Sequence, residues 1–202
     1  MRNGGITTFH DTKAEKLAAF DHAIESCKGQ LLLAQYLIDH VPLTVKITRL
    51  KAERNLAVFI LLCESNFYNP TTYNGPPRVK DLFEAGCRIK THKPKRGRYP
   101  LMHIKTVITD GAEVLSGSCN LTSNGIENNE EHLFTIGDPG AVSRAVTKFE
   151  RLWNEADEVG PLEIEKMMTA HAEYQERKNR ENSDRARNDA IAAHRSSSES
   201  QD

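Results

Sequence analysis

The chain has 202 residues with 27 basic and 28 acidic side chains, which gives a formal net charge of −1 at pH 7. A chain of this length can bury one sizeable hydrophobic core and carry an extension beyond it. Because the charges nearly cancel, the overall charge cannot attract a polyanion, and an anionic partner would need a local basic patch.

The N-terminus and the cysteines bear on the cellular compartment. The sequence MRNGGITTF contains no apolar run of the length that a signal peptide or a membrane anchor needs. Four cysteines, Cys27, Cys63, Cys87 and Cys119, lie far apart and form no CxxC pair. This spacing argues against a zinc site or a disulfide framework and favours a reducing compartment. We therefore expect a cytoplasmic protein without a membrane anchor.

Strands and helices alternate along most of the chain. A capping box, Thr12-x-x-Glu15, starts an amphipathic helix that ends before Gly29, and Pro42 starts a second helix. Continuous apolar runs at 31–38 and 56–63 are typical of buried strands. The remaining predicted elements are a strand at 6–9, a helix around 79–83, a strand at 87–91, a hairpin of strands 102–109 and 113–116, a strand at 131–136 and a helix over 142–153.

This order of elements predicts the fold class. Strand, helix, strand, helix, strand indicates a parallel sheet covered by helices, and the hairpin then extends that sheet. We expect an α/β fold with a mixed, largely parallel β-sheet flanked by helices on both faces. From about residue 160 the charges are mixed and aromatics are few, and the chain ends in SSSESQD. We therefore divide the chain into a main domain at 1–160 and a charged extension at 161–202, helical to about 187 and then disordered.

The segment 102–136 carries the side chains with the most distinctive chemistry. As a strand, its first part places His103 and Lys105 on the same face and ends at the tight-turn dipeptide Asp110-Gly111. The second strand of the hairpin leads to the segment Gly117-Ser118-Cys119-Asn120, close to that face. A third strand begins with Glu131.

An imidazole, an ammonium, a hydroxyl and a carboxamide that converge in this way form a site for a phosphate. Lysine supplies a point charge, while serine and asparagine supply neutral donors to phosphoryl oxygens. The imidazole can act as a nucleophile or carry a proton near neutral pH. Glu131 could orient that imidazole, and the neighbouring Glu130 is the alternative carboxylate. No carboxylate cluster suited to Mg²⁺ or Ca²⁺ accompanies the site, so we predict phosphoryl transfer without a metal or other cofactor.

The same residues resemble the signature of a known family. His103-x-Lys105 with Asp110 five residues later, then Gly117-Ser118-x-Asn120 and Asn129-x-Glu131, resembles the phospholipase D superfamily. The chain is most similar to the small members with a single motif, of the bacterial salt-resistant endonuclease type. The resemblance implies a phospholipase D-like catalytic domain over about residues 5–157.

The resemblance also implies a role for each residue of the motif. His103 would be the nucleophile that forms a phosphohistidine intermediate. The other implied roles are phosphate binding by Lys105 and Asn120, support of the phosphate by Ser118, orientation of a histidine by Glu131 and maintenance of the architecture by Asp110. Simpler interpretations stay open: a solvated cationic strand face for His103 and Lys105, a local backbone partner for Ser118 and a turn former for Asp110.

The number of motifs predicts the assembly. In-line displacement at a phosphodiester needs a nucleophile on one side and an acid at the leaving oxygen on the other. The chain contains one HxK motif, so a second His103 from a twofold-related subunit would complete the site, as the resemblance also implies. We therefore predict a homodimer with one composite site.

Six basic residues crowd into the segment 88–98, directly before the motif. Next to a phosphate site, such a run can guide a polyanion electrostatically, whereas the alternative is a solvated charged loop. Tyr99 could stack on a base or pack locally. The predicted nucleic-acid-binding residues are Lys93, Lys95, Arg96 and Arg98.

Three functions compete at this point. The first is a metal-independent phosphodiesterase, specifically an endonuclease that cleaves DNA or RNA, because the basic segment suits a polyanion. The second is a lipid hydrolase of the phospholipase D type, which would need an apolar rim or an anchor. The third is a nucleic-acid-binding protein with a silent site, against which the intact motif argues.

Overall fold

The computed structural model describes residues 7–71, 74–95 and 100–199, and it arranges them as one sheet with helices on both faces. The strands are β1 (Thr7–His10), β2 (Gln30–Gln35), β3 (Ala57–Cys63), β4 (Arg88–His92), β5 (Lys105–Thr109), β6 (Glu113–Gly117), β7 (Leu133–Ile136) and β8 (Asp157–Glu158). The helices are α1 (Lys13–Glu25), α2 (Val41–Arg54), α3 (Glu64–Phe67), α4 (Gly75–Glu84), α5 (Pro139–Glu155) and α6 (Pro161–Glu199), with a short π-helix at Asn124–Asn128.

The sheet is mixed because a hairpin joins a parallel unit. The described strands lie in the order β1-β7-β6-β5-β2-β3-β4-β8. β2 is parallel to β3 and β3 to β4, as expected where α2 and α4 connect successive strands. The other five described pairs are antiparallel. The predicted α/β fold with a mixed sheet and flanking helices is thus confirmed. The sheet contains fewer parallel strand pairs than the sequence indicated, because β5 pairs with β2 in the antiparallel sense.

Each central strand buries both of its faces. On β2, Leu31 and Leu33 pack with the core of α1, α2, α4 and α6, whereas Leu32 and Ala34 pack against α5. The same alternation on β3 explains why the sequence shows a continuous apolar run there. At the start of α1 the capping box is confirmed, since Thr12 and Glu15 exchange hydrogen bonds.

The four cysteines are buried and free. Burial raises the pKa of Cys27 to about 11 and the pKa of Cys87 to about 12. Burial likewise raises the pKa of Cys119 to about 12. These three thiols therefore stay protonated at neutral pH and fill the core as small apolar side chains.

Helix α6 differs from the extension that the sequence indicates. Ile164 and Met167, on its first turns, are buried in the core, and Nδ1 of His171 lies 3.2 Å from the carbonyl oxygen of Pro70. The core therefore extends beyond the boundary at residue 160. The helix then continues to Glu199 instead of ending near 187, because the segment contains neither proline nor glycine after its first residue and carries ion pairs one turn apart, such as Arg177–Glu181.

The strand predicted over 102–109 begins at Lys105. Its neighbour β2 ends at Gln35, which lies opposite Lys105, so no strand of the described sheet pairs with residues 102–104. In the same way β7 begins at Leu133, and Glu131 precedes it. His103 and Glu131 therefore lie in the irregular segments that directly precede β5 and β7.

Asp110 closes the hairpin between β5 and β6 and connects it to the start of β2. Its carboxylate accepts backbone N–H hydrogen bonds from Lys28, Gly29 and Gln30 at 2.8, 2.9 and 2.8 Å. Its φ of 52° lies in the left-handed region, which aspartate tolerates better than most residues. Burial alone would raise the pKa of Asp110, but the three backbone donors lower it below its ordinary value.

Replacing Asp110 with alanine should reduce the free energy of unfolding by about 1–2 kcal/mol at pH 7, because the backbone donors lose their acceptor. Since the folded-state pKa is lowered, the carboxylate contributes fully above the ordinary pKa of about 4, and this contribution is lost as the pH falls below that value. Urea unfolding of the wild type and Asp110→Ala at pH 7 and pH 3 should show a smaller difference at pH 3. An equal difference at both pH values would contradict this role of the charge.

Candidate active site

His103 and Lys105 lie at the end of the sheet where the parallel strands β2, β3 and β4 have their carboxyl ends. Ligands bind outside the carboxyl ends of the strands in open α/β sheets. His103 is exposed, whereas Lys105 is buried with 6% of its surface exposed. The Lys105 ammonium donates a hydrogen bond of 3.2 Å to the carbonyl oxygen of His103, which fixes the backbone just before β5. The motif therefore offers a reachable imidazole in front of a shielded cation.

Tyr36 contacts both residues of the motif. It follows the last residue of β2, and its ring meets the imidazole of His103 edge-on with 4.5 Å between the ring centroids. The Lys105 Nζ atom lies 5.0 Å from the centroid of the same ring, a cation–π contact. Asn66 holds Tyr36 in turn by donating a 2.9 Å hydrogen bond to its carbonyl oxygen. Tyr36 was not predicted from the sequence, although an aromatic residue directly after a buried strand was a usable signal.

The charges of the site favour a neutral imidazole. Partial burial lowers the pKa of His103, the Lys105 charge lowers it further, and the Glu131 charge opposes both. Burial also lowers the pKa of Lys105, against the raising effect of Glu131. A histidine whose pKa lies below its ordinary value carries a free lone pair at neutral pH, as a nucleophile requires.

Ser118 lies where β6 turns towards the site, and it is bound to the segment before β7. Its backbone N–H donates to the carbonyl oxygen of His132 at 3.1 Å, and its hydroxyl oxygen accepts the His132 N–H at 3.2 Å. Gly117 lies so close to this segment that an added Cβ would collide with the His132 carbonyl oxygen. Ser118 therefore acts as a local backbone partner in this structure, and its hydroxyl hydrogen stays available for a ligand.

Asn120 is half-buried, and its Oδ1 atom is buried without a hydrogen-bond partner among the described residues. The π-helix packs directly on its backbone, because a Cβ on Gly125 would lie 2.7 Å from the Asn120 carbonyl oxygen. Lys16 of α1, itself buried, donates hydrogen bonds to the carbonyl oxygens of Gly125 and Asn129 at 3.2 and 3.0 Å. Lys16 thus holds the segment that connects Asn120 to Glu131, a role that the sequence analysis missed.

Glu131 is half-buried and close enough to influence the pKa of both His103 and Lys105. Among the described residues no hydrogen bond joins its carboxylate to the imidazole, so it acts within one chain through its charge. Glu130 beside it is exposed. Asp110 lies at the far end of β5, beyond Thr109, and is therefore separated from the imidazole by the length of that strand.

Two clefts meet at His103. The larger, of about 710 Å³, lies between α5 and residues 92–95 and 101–104, and it is lined by His92, Lys95, Lys148 and Arg151 among others. The smaller, of about 360 Å³, lies between α5 and the β5–β6 hairpin, and Lys105, Ser116 and Lys148 belong to its wall. A substrate at His103 can therefore extend in two directions.

The basic segment before the motif is only partly described. Lys95 lines the larger cleft, whereas Lys93 forms an ion pair of 3.3 Å with Glu64. Arg96, Arg98 and Tyr99 lie outside the described residues. Of the two described members of this group, Lys95 is thus the one that lines a cleft together with His103.

Comparison with known proteins identifies the family. The model for the PLD-like domain of cardiolipin synthase matches residues 20–153, about two thirds of the chain. The chain therefore belongs to the phospholipase D superfamily of phosphodiesterases. Mitochondrial cardiolipin hydrolase from Xenopus laevis is 39% identical over 80 residues, which are 40% of this chain and 36% of that relative. The chain thus spans about a third of the length of the curated relatives it matches.

Solved structures agree with this family assignment at the level of the fold. NucT from Helicobacter pylori matches with a TM-score of 0.69 and 20% identity, over 77% of this chain and 99% of NucT. Nuc from Salmonella typhimurium, a phospholipase D family member, matches with a TM-score of 0.66 and 18% identity, over 77% of this chain and 98% of Nuc. The mixed sheet with flanking helices is common to them. In this chain no described helix combines the length and apolar character that crossing a bilayer requires.

Tyr36 should behave as a positioning residue for the motif. Tyr36→Leu removes the ring that contacts His103 and Lys105, and it should lower kcat on bis(p-nitrophenyl) phosphate by about 10- to 100-fold with a smaller change in KM, since a small misplacement of reacting groups costs this much. Tyr36→Phe keeps the ring and should stay within about threefold of the wild type, because the ring contacts and not the hydroxyl are needed. Equal losses in both variants would point to the hydroxyl instead.

Proposed function

We propose that this chain is a metal-independent phosphodiesterase, and specifically an endonuclease that cleaves DNA or RNA. One observation carries the proposal: an exposed imidazole lies in front of a buried ammonium, at the junction of two clefts with cationic walls. A polyanion fits this charge pattern, and a strand can pass through two clefts that meet at the reacting group. We take the cytoplasm as its compartment, since four free cysteines suit a reducing environment.

The proposed reaction has two displacements at one phosphorus atom. The lone pair of His103 attacks the phosphorus, the bond to the leaving oxygen breaks, and that oxygen takes a proton from an acid on the opposite side. Water then attacks the phosphohistidine and gives its proton to the group that acted as the acid in the first step. The P–N bond breaks, which releases a phosphate monoester and regenerates the imidazole. In this scheme Lys105 and Asn120 bind the non-bridging oxygens and Ser118 supports them, while Glu131 favours the charged form of a histidine.

Two residues of the scheme act by position. Asp110, bound to three backbone N–H groups at the far end of β5, would maintain the hairpin that carries the motif. Tyr36 would keep the imidazole and the ammonium in register with each other. Neither needs to touch the substrate.

A second copy of the chain would supply the acid. Each chain has one HxK motif, so a twofold-related His103 is the nearest equivalent group that could protonate the leaving oxygen. One imidazole must be neutral while its partner is protonated, and the apparent pKa values then belong to the pair. The rate would fall at low pH when both are protonated and at high pH when both are neutral.

The basic segment would extend the binding surface. Lys95 in the larger cleft supports this role directly, and we include Lys93, Arg96 and Arg98 on the basis of their charge and their position in the sequence. Their contribution would come mainly from counterion release and would therefore weaken with salt.

A lipid phosphodiesterase is the second candidate. It is favoured by the 39% identity to a mitochondrial cardiolipin hydrolase, and Leu101, with 47% of its surface exposed, lines the larger cleft beside His103. A lipid headgroup presents the same phosphodiester as a nucleic acid. Comparing the cleavage of nucleic acid with the cleavage of cardiolipin vesicles separates the two candidates.

The chain should cleave labelled single- or double-stranded DNA or RNA in the presence of EDTA, and cardiolipin vesicles more slowly. His103→Ala should reduce cleavage by about 10⁴-fold or more, because both proposed roles of the imidazole disappear together. His22→Ala, which changes an exposed histidine on α1, is the matched control and should retain activity. Loss of activity in EDTA that one divalent metal restores would refute the metal-free mechanism, and cleavage of the lipid alone would establish the second candidate.

The composite site can be tested by mixing subunits. If both copies of His103 are needed, re-equilibrating wild type with an equal amount of His103→Ala should leave about half of the wild-type activity, because half of the wild-type subunits enter inactive mixed dimers. Mixing with His22→Ala should cause no such loss. Mixed dimers with near-full activity would contradict the shared site.

A further inference from the structure

Lys148 of α5 lines both of the clefts that meet at His103. Four of the described residues line both clefts, and Lys148 and His103 are the polar ones among them. The other two, Ile104 and Leu152, are apolar and pack with the α5 side of the sheet. Lys148 is therefore a cation that faces both directions in which a substrate can extend from the imidazole.

The amphipathic pattern of α5 explains this position. Val142, Phe149 and Leu152 are its buried residues, while Lys148 and Arg151 lie one turn apart at the border of that apolar face. Arg151 lines the larger cleft together with Glu155, and the two side chains form an ion pair of 2.9 Å. Lys148 is exposed and forms no ion pair with any described residue, so its full charge is available to a ligand.

Both walls also contain polar groups among apolar side chains such as Leu101 and Phe149. His92 lines the larger cleft, and its buried Nδ1 atom has no hydrogen-bond partner among the described residues, which favours a polar occupant there. In the smaller cleft the hydroxyls of Thr106 and Ser116 lie 2.9 Å apart. Lys148 lies in both walls, and the hydroxyls lie in the smaller cleft, so cations and neutral hydroxyls occur together near His103. This combination suits a sugar–phosphate chain better than an isolated phosphodiester.

We propose that Lys148 binds the backbone phosphate next to the scissile one and that Arg151 continues this contact along the larger cleft. The proposal rests on the nuclease function proposed above and names its substrate class: a polynucleotide with at least two consecutive phosphates. A dinucleotide or a bis(p-nitrophenyl) ester has no phosphate for this subsite and is therefore the poorer substrate.

Binding is the first test, because it does not depend on turnover. In a His103→Ala background, fluorescence anisotropy with a labelled oligonucleotide should show weaker binding for Lys148→Gln and for Arg151→Gln. Each lost phosphate contact should reduce the slope of log affinity against log salt by about 0.7 for single strands or 0.9 for duplexes, which means that affinity falls about threefold less between 50 and 200 mM salt. Lys148→Arg keeps the charge and should keep the slope.

Arg144→Gln is the matched control, since Arg144 is an exposed cation on the same helix that lines neither cleft. It should leave affinity and slope unchanged. If Lys148→Gln matches Arg144→Gln in both quantities, the subsite is overturned. If Lys148→Gln, Arg151→Gln and Arg144→Gln reduce the slope equally, the effect comes from the overall charge of α5. The proposal is then also overturned.

Turnover separates this proposal from the function on which it rests. With His103 intact, Lys148→Gln should lower kcat/KM on the polynucleotide by a larger factor than on bis(p-nitrophenyl) phosphate, mainly through KM. Equal factors on both substrates would refute a second phosphate subsite while leaving the nuclease function in place. A wild type that cleaves cardiolipin and no polynucleotide would refute the function itself.

Discussion

The antiparallel pairing of β5 with β2 determines where the residues of the site lie. It places Lys105 opposite Gln35 and leaves His103 and Tyr36 just beyond the last paired residues, facing each other. A register shift by one residue would turn Lys105 and the other side chains of β5 to the opposite face of the sheet. Asp110 opposes such a shift from the other end of β5, because its carboxylate is bound to the backbone at the start of β2. The turn and the two residues of the motif are therefore connected through one strand.

The two residues of the motif differ in burial, because His103 precedes β5 and Lys105 is its first residue. Burial keeps Lys105 shielded and fixes its ammonium beneath the Tyr36 ring, while His103 lies outside the sheet where a ligand can reach it. Alternation along an ideal strand would place both side chains on the same surface. The end of the strand removes this constraint, because the backbone before Lys105 is no longer paired. The irregular backbone before β5 therefore allows one residue of the motif to be exposed and the other to be buried.

Local patterns predicted much of this structure, and long-range packing explains what they missed. The capping box of Thr12, the apolar runs of β2 and β3, and the turn at Asp110 are encoded by neighbouring residues, and each was found from the sequence. Tyr36, Lys16 and Lys148 were missed because their positions relative to the site depend on elements about 45 to 110 residues away in the chain. The strand ends were also misjudged, since β5 stops pairing where β2 ends and a single strand carries no sign of its neighbour's length.

The contact of Lys16 with the π-helix has a consequence for how the domain folds. Its ammonium bridges two carbonyl oxygens more than 100 positions later, and this bridge orders the segment between Asn120 and Glu131 only once α1 has packed against the sheet. Contacts of such separation form late and cooperatively, since the loop between them must close first. A peptide spanning 102–136 would contain every residue of the motif and still lack the structure that aligns them. A fragment able to assemble this arrangement must therefore include α1 as well as the motif, and an isolated hairpin grafted onto another protein would lack this support.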